Sequence, residues 1–247
     1  MTAPVLVVHN GTERTGCEHL ERWAADAGLA VTTCWAYGGE LPEHAAGWAG
    51  LIVTGSPHGV HDGLPFIARE MAFLRAAAEA ATPVLGLCFG TQILGVALCG
   101  MDQVFRRAAC EVGFLPLRLT AEAAADPLLA EATDPLRMLV WHNDEVRHDH
   151  PDMRILASSE RCPNQIWRWR DAPVWGVQGH PEVTPALAPR WLENCRGALT
   201  KDGADTDTLI EDSAEGARAG FLLDAFLRIC RHGSVPGRVS EPTGAKG

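Results

Sequence analysis

Pro83-Val84-Leu85-Gly86-Leu87-Cys88-Phe89-Gly90-Thr91-Gln92 begins with an apolar run, Val84 to Leu87, that has no polar alternation and reads as a strand buried on both faces of a parallel sheet. Beyond it Ile93, Leu94, Ala97 and Leu98 recur at helical spacing, and Gly100 is placed to stop that helix. Strand, sharp turn and helix thus follow one another, with Cys88 at the turn and Gly86 and Gly90 two residues to either side. A nucleophile at such a turn stands exposed at the carboxyl end of the sheet, beside a helix N-terminus that favours negative charge on sulfur. Cys88 is therefore placed for chemistry. The other seven of the eight cysteines, at irregular spacings and with no C-x-x-C pair, read as small buried hydrophobes.

A distant segment, Gln178-Gly179-His180-Pro181-Glu182, ends a second strand-like run that starts at Val174. In extended backbone, residues two apart share a face, so His180 and Glu182 both project toward Cys88 while Pro181 stiffens the link. Together the G-x-C-x-G-x-Q of Gly86 to Gln92 and the H-P-E of His180 to Glu182 resemble the class I, triad-type glutamine amidotransferases, and most closely their free-standing, GMP-synthase-like members. The likeness runs from the first strand to Glu182.

The resemblance implies a flavodoxin-like α/β fold and hydrolysis of a glutamine side-chain amide by Cys88, His180 and Glu182, with no cofactor. It also implies that the Thr54-Gly55-Ser56-Pro57 loop covers the nucleophile, with the backbone N–H groups of Ser56 and Phe89 as the oxyanion hole. Gly55 and Gln92 would help seat the substrate. His142-Asn143-Asp144 stands where the family has an H-G-D or H-G-F turn holding the α-amino and α-carboxylate groups of glutamine. Asn143 replaces the glycine, and asparagine tolerates the left-handed backbone such a turn needs. A metal reading of His142, Asp144, His148 and His150 lacks fixed ligand spacing, so no metal site is assigned. No synthetase pattern follows Glu182, so any amination is expected to use a separate subunit. A γ-glutamyl peptidase or hydrolase acting alone, with the same triad, and a non-catalytic regulatory relative are the alternatives.

Taken in order, the chain alternates strand and helix: Val5 to Val8, a helix with Leu20, Trp23, Ala24 and Ala27 on one face, Leu29 to Trp35, Leu51 to Val53, and a helix from Pro65 to Ala81 before the Cys88 strand. That pattern predicts a mostly parallel sheet with helices on both faces and ligand sites at the carboxyl ends of the strands. Val112 to Thr120 reads as an antiparallel or edge strand and Ala121 to Ala132 as a surface helix. Leu136 to Trp141 reads as a strand running into a turn at His142 to Val146, and Gln165 to Arg170 as a strand paired with the one at Val174 to Gln178. Pro185 to Thr200 and Leu209 to His232 read as helices packed on the sheet. One domain is expected over 1–232, with a loose tail over 233–247.

The 247 residues are 47% hydrophobic, enough for one sizeable core. A formal charge of -10 disfavours nucleic acid and anionic membrane surfaces as partners and suits small-molecule chemistry. The cysteine pattern and an N-terminus without a signal-like segment lead to the expectation of a reducing, cytoplasmic location. No apolar run approaches the roughly 20 residues needed to span a bilayer.

Overall fold

A computed structural model describes residues 3–232 of the chain. The expected tail at 233–247 lies outside the described residues. Nine strands form one sheet: β1 (Val5–His9), β2 (Val31–Trp35), β3 (Gly50–Val53), β4 (Val84–Leu87), β5 (Val104–Leu119), β6 (Leu136–Val146), β7 (Met153–Ser158), β8 (Ile166–Trp169) and β9 (Val174–Val177). Their spatial order is β2-β1-β3-β4-β9-β8-β7-β5-β6.

The sheet is mixed, which corrects the expectation of a mostly parallel one. β2, β1, β3, β4 and β9 are mutually parallel, whereas β8, β7, β5 and β6 are joined antiparallel. The cause lies in the connections. Parallel neighbours need long crossovers, which the helices α1 (Glu18–Asp26), α2 (Pro65–Glu79) and α3 (Phe89–Cys99) help provide. Beyond α3 no further α-helix forms until α4 (Ala188–Asn194), so the later strands double back.

The parallel half is buried on both faces, as its unbroken apolar runs require. Val5 and Val7 of β1 and Leu85 and Leu87 of β4 point to one core, shared with Leu20 and Ala24 of α1 and Leu222 and Phe226 of α7 (Phe221–His232). The alternate residues Leu6, Val8 and Val84 point to the opposite core, shared with Phe73 and Leu74 of α2 and Ile93 and Leu94 of α3. A third cluster joins Phe114 of β5 and Leu139 of β6 to Leu192 of α4, Leu199 of α5 (Arg196–Lys201) and Leu209 of α6 (Thr206–Gly216).

Several expected elements differ in extent. Ala121 to Ala132 forms a short 3₁₀ turn only as far as Ala125, because Pro127 disfavours helical backbone at Asp126. The buried Asp126 carboxylate instead accepts from the Leu128 N–H at 2.9 Å and Trp175 Nε1 at 3.0 Å, and pairs with Arg168 at 3.3 Å. The helix expected over Leu209 to His232 breaks between α6 and α7, since its two apolar faces serve different cores. Likewise Pro185 to Thr200 divides into α4 and α5 about Cys195. No helix among the described residues is long and apolar enough to cross a membrane.

One buried acid stands in the α2 interface. Glu70 is fully buried, and its hydrogen bond comes from Asn10 Nδ2 at 3.0 Å. Burial pushes its pKa up to about 8, against the pull of that hydrogen bond. Between its ordinary value near 4.5 and about 8 the folded state keeps a proton that the unfolded state has lost, so stability falls as pH rises through this window, by about 1.4 kcal/mol per pH unit. Glu70→Gln keeps an acceptor for Asn10 and cannot ionise. Urea denaturation at pH 5 and pH 8 should show the variant gaining several kcal/mol on the wild type; parallel pH profiles would show that the carboxylate is compensated inside the fold.

Candidate active site

Cys88 joins β4 to α3 with φ 52° and ψ −109°, a backbone region that side chains with a Cβ rarely occupy. The turn is held on both sides: the Cys88 N–H donates to the Val177 carbonyl of β9 at 2.9 Å, and the Cys88 carbonyl accepts from Thr91 N–H at 3.0 Å. The flanking glycines are required by contact. A Cβ on Gly86 would lie 2.4 Å from the Gly90 carbonyl oxygen, and one on Gly90 would lie 2.2 Å from the Val53 carbonyl oxygen. Their absence lets the start of α3 rest directly on β3 and β4.

His180 and Glu182 meet beside this turn. β9 ends at Val177, so the pair is presented by a turn after the strand rather than by extended backbone; the spacing works because the Val183 N–H folds back onto the His180 carbonyl at 3.2 Å. His180 Nδ1 donates to Glu182 Oε1 at 2.9 Å, and both side chains are buried. Burial opposes charge on the imidazole, but the Glu182 carboxylate and hydrogen bonding with Cys88 outweigh it and hold the His180 pKa well above that of an ordinary histidine. Glu182 is likewise pushed up by burial and pulled down further by His180, leaving it below the usual carboxylate range. Gly55 lies against both partners: a Cβ there would be 3.5 Å from Cys88 Cβ and 3.6 Å from His180 Cε1. The remaining cysteines differ in kind. Four are buried and three half-buried, and burial raises all seven thiol pKa values, to about 12 for Cys17, Cys34, Cys99, Cys162 and Cys230.

The expected turn at His142 to Val146 is absent. These residues continue β6, with His142 opposite Glu111 and Asp144 opposite Arg106 across an irregularity in β5. Asn143 is not among the described residues with positive φ. Strand alternation sends the side chains two ways. His142 faces inward, where Nε2 meets Glu111 Oε2 at 3.0 Å, while Asn143 Nδ2 donates to Asp202 Oδ2 at 3.2 Å. Asp144 pairs with Arg106 at 3.1 Å, and its carbonyl accepts from Gln92 Nε2 at 3.1 Å. Cys88 Sγ lies 3.6 Å from the Trp141 carbonyl oxygen. Ser56 Oγ accepts from the His58 N–H at 3.2 Å, and Thr54 Oγ1 donates to the Gly55 carbonyl at 3.2 Å. Phe89 opens α3, so its N–H is one of those without an intrahelical acceptor.

Among the described residues, one group has metal-ligand spacing, Glu111, His142 and Cys162, with donor atoms within 4.8 Å of one another. It shares only His142 with the set weighed in the sequence. The Glu111 carboxylate already accepts from His142, from Ser159 Oγ at 2.7 Å and from Gln165 Nε2 at 3.1 Å, so the group is a hydrogen-bonded strut behind β6.

Cys88, His180 and Glu182, with Gly55, Ser56, Gln92 and His142 to Asp144, line a cavity of about 770 Å³. A model of the class-I glutamine amidotransferases matches residues 18–197. The chain belongs to that family. It is 33% identical over 185 residues to a glutamine amidotransferase-like protein, YfeJ, of Salmonella typhimurium, covering 72% of this chain and 75% of that one. It is 32% identical over 144 residues to a glutamine-hydrolysing GMP synthase of Porphyromonas gingivalis, a match covering 58% of this chain and only 27% of the synthase. A γ-glutamyl-L-1-hydroxyisopropylamide hydrolase of a Pseudomonas species is 27% identical over 172 residues, covering 67% of this chain and 58% of the hydrolase. Among solved structures, a glutamine amidotransferase of Thermotoga maritima superposes with a TM-score of 0.78 at 22% identity, covering 93% of this chain and 97% of that one.

The amidotransferase family match stops short of part of the cavity wall. Trp191, Cys195 and Ala198, read from the sequence only as part of a helix on the sheet, also line the cavity, as does Asp202, which lay outside both helices expected there. Their spacing of four, three and four residues marks one helical face and was the available signal. The Trp191 ring lies 5.4 Å from that of His180 and 5.9 Å from that of Trp141.

The close approach at Gly90 is testable. Gly90→Ala drives a methyl group into the Val53 carbonyl just before the Gly55 loop, so stability should fall by about 1–3 kcal/mol in urea denaturation. A variant as stable as the wild type would show that α3 is free to move away from β3.

Proposed function

We propose that this protein hydrolyses the side-chain amide of glutamine to glutamate and ammonia, and that the ammonia passes to a separate acceptor subunit. The observation that carries the reading is the chain of contacts from Cys88 through His180 to Glu182 at the strained turn above β4. In this reading Cys88 Sγ attacks the δ-carbonyl carbon while His180 takes the thiol proton, a transfer favoured by the raised basicity of the imidazole. Glu182 holds the ring in one orientation and stabilises its charged form.

The oxyanion develops between the Ser56 and Phe89 N–H groups. Thr54 supports this geometry: its hydroxyl holds the Gly55 carbonyl, and in a planar trans peptide the Ser56 N–H then points the opposite way. Collapse of the tetrahedral intermediate breaks the C–N bond, and ammonia leaves with the proton from His180. Water, deprotonated by the same imidazole, then attacks the γ-glutamyl thioester, releasing glutamate and restoring the thiol. Gln92, His142, Asn143 and Asp144 shape the seat for the glutamyl part, His142 and Gln92 through their hold on the Asp144 carbonyl. The GMP synthase relative supports a synthetase as the partner type.

A second reading is favoured by the size of the cavity. About 770 Å³ lies toward the upper end of ordinary small-molecule sites, roughly 300–1,000 Å³, and exceeds what glutamine alone would fill. The same triad would then cleave γ-glutamyl amides of larger amines, as the name of the Pseudomonas relative indicates for that protein. Assay of the full chain against glutamine and a panel of γ-glutamyl amides separates the two readings, since ammonia release from glutamine supports the first and selective release of larger amines the second.

Two substitutions test the chemistry common to both. Cys88→Ala should abolish turnover and labelling by a glutamine-like electrophile while the fold survives; retained activity, with labelling at another thiol, would overturn the assignment. Glu182→Gln keeps the shape but removes the charge opposite His180, so kcat should drop by about 10²- to 10⁴-fold. Equal rates for variant and wild type would mean that another group orients the imidazole.

A further inference from the structure

We infer that Asp202 is the acceptor for the α-ammonium group of the γ-glutamyl substrate. The inference rests on the reading of Cys88 as the nucleophile toward a γ-glutamyl amide and adds the group that recognises the glutamyl end.

Asp202 follows α5 and lies beyond residues 18–197, the extent of the family match. It lines the cavity, half-buried. One carboxylate oxygen, Oδ2, accepts from Trp141 Nε1 at 2.7 Å and from Asn143 Nδ2 at 3.2 Å. These donors stand two apart on β6 and so share the face turned toward α5. Both are neutral. They fix the carboxylate without cancelling its charge, and Oδ1 is left to accept.

The cavity's other acids are already matched, Asp144 by Arg106 and Glu182 by His180. Among the described residues no cation pairs with Asp202, not even its neighbour Lys201. A fixed carboxylate with a free oxygen in a substrate cavity calls for a cationic ligand group, because a charge-assisted hydrogen bond is about twice as strong as a neutral one.

Placement agrees with that assignment. Trp141 touches both ends of the site, its carbonyl oxygen lying 3.6 Å from Cys88 Sγ and its indole N–H holding Asp202. Asp202 is therefore one tryptophan side chain away from the sulfur. A γ-glutamyl group is likewise built, with its amide carbon and its ammonium at opposite ends of a short carbon chain. Asn143, which departs from the family's glycine, acquires a reason: it braces the ammonium acceptor rather than making a turn.

The test compares γ-glutamyl amides with glutaryl amides of the same amine, which lack only the α-amino group; glutamine and glutaramate are the simplest pair. Asp202→Asn keeps an oxygen for Trp141 and Asn143 and loses the charge. The wild type should prefer the γ-glutamyl compound in kcat/KM, and the variant should lose about 10- to 100-fold of that preference, through KM rather than kcat. Calorimetry in the Cys88→Ala protein gives a readout without turnover, where adding Asp202→Asn should weaken glutamine binding relative to glutaramate by the same factor. An unchanged preference in both measurements would overturn the role of Asp202 while leaving the hydrolase reading intact. A wild type that cleaves no γ-glutamyl amide would overturn both.

Discussion

The backbone of Cys88 is the constraint on which the rest of the site depends. A side chain at φ 52° and ψ −109° costs free energy, of order 1–3 kcal/mol for such sparsely populated conformations, and persists only where the surroundings over-determine it. Here they do. The Cys88 amide is tied to β9, its carbonyl caps the first turn of α3, and the two glycines let that helix sit close, the Gly90 carbonyl against Gly86 of β4 and Gly90 against the Val53 carbonyl of β3. β9 both receives the Cys88 N–H and leads to His180, so the same strand pairing that holds the turn delivers the imidazole. Three residues beyond the strand, the His180 N–H donates to the Leu139 carbonyl of β6 at 2.8 Å, which anchors the turn that carries the imidazole.

How much of this was legible depended on whether a signal was local. β1, β3 and β4 are apolar runs buried on both faces, and α2 and α3 carry their own periodicity, so each could be read from its own residues. The Cys88 turn was equally local, because its glycines flank it. β7 and the first half of β5 were missed: Met153–Ser158 is a short run without regular apolar–polar alternation, and Val104–Leu119 is interrupted where its pairing with β6 shifts between Arg106 and Glu111. The supposed turn at His142 failed for the same reason. Asn143 and Asp144 look like turn formers until β5 is seen to pair alongside them, Glu111 with His142 and Arg106 with Asp144. Spacing could tie Asp202 to the face of Trp191, Cys195 and Ala198 but not to its partners, Trp141 and Asn143, which lie about sixty residues away in sequence.

The antiparallel half is what gives the family scaffold a second wall. β5 and β6 form a long hairpin, and α4, α5 and α6 pack against it through Phe114, Leu139, Leu192, Leu199 and Leu209. That small core is distinct from the two that flank the parallel strands. It positions Trp191 over His180 and Asp202 over Trp141 without any help from the Cys88 turn. Nucleophile and wall are thus supported by separate apolar clusters, so a substitution in one should disturb the other little.

On the proposed chemistry, this separation divides substrate recognition in two. The leaving amine takes its proton from His180 and must sit beside that imidazole, where the end of β1, the loop after it and the start of α1 contribute His9, Gly16 and His19 to the cavity. His19 is near enough to feel the charges of Glu182 and His180, although burial dominates and pushes its pKa down. The glutamyl end faces the fixed charges, Arg106 with Asp144 and Asp202 on the far side of Trp141. Fixed charges on the glutamyl side suit a zwitterionic end group, because a charge taken from water needs charged or hydrogen-bonding partners. On this reading, recognition concentrated on the glutamyl part is what would let one triad serve either glutamine or a larger γ-glutamyl amide.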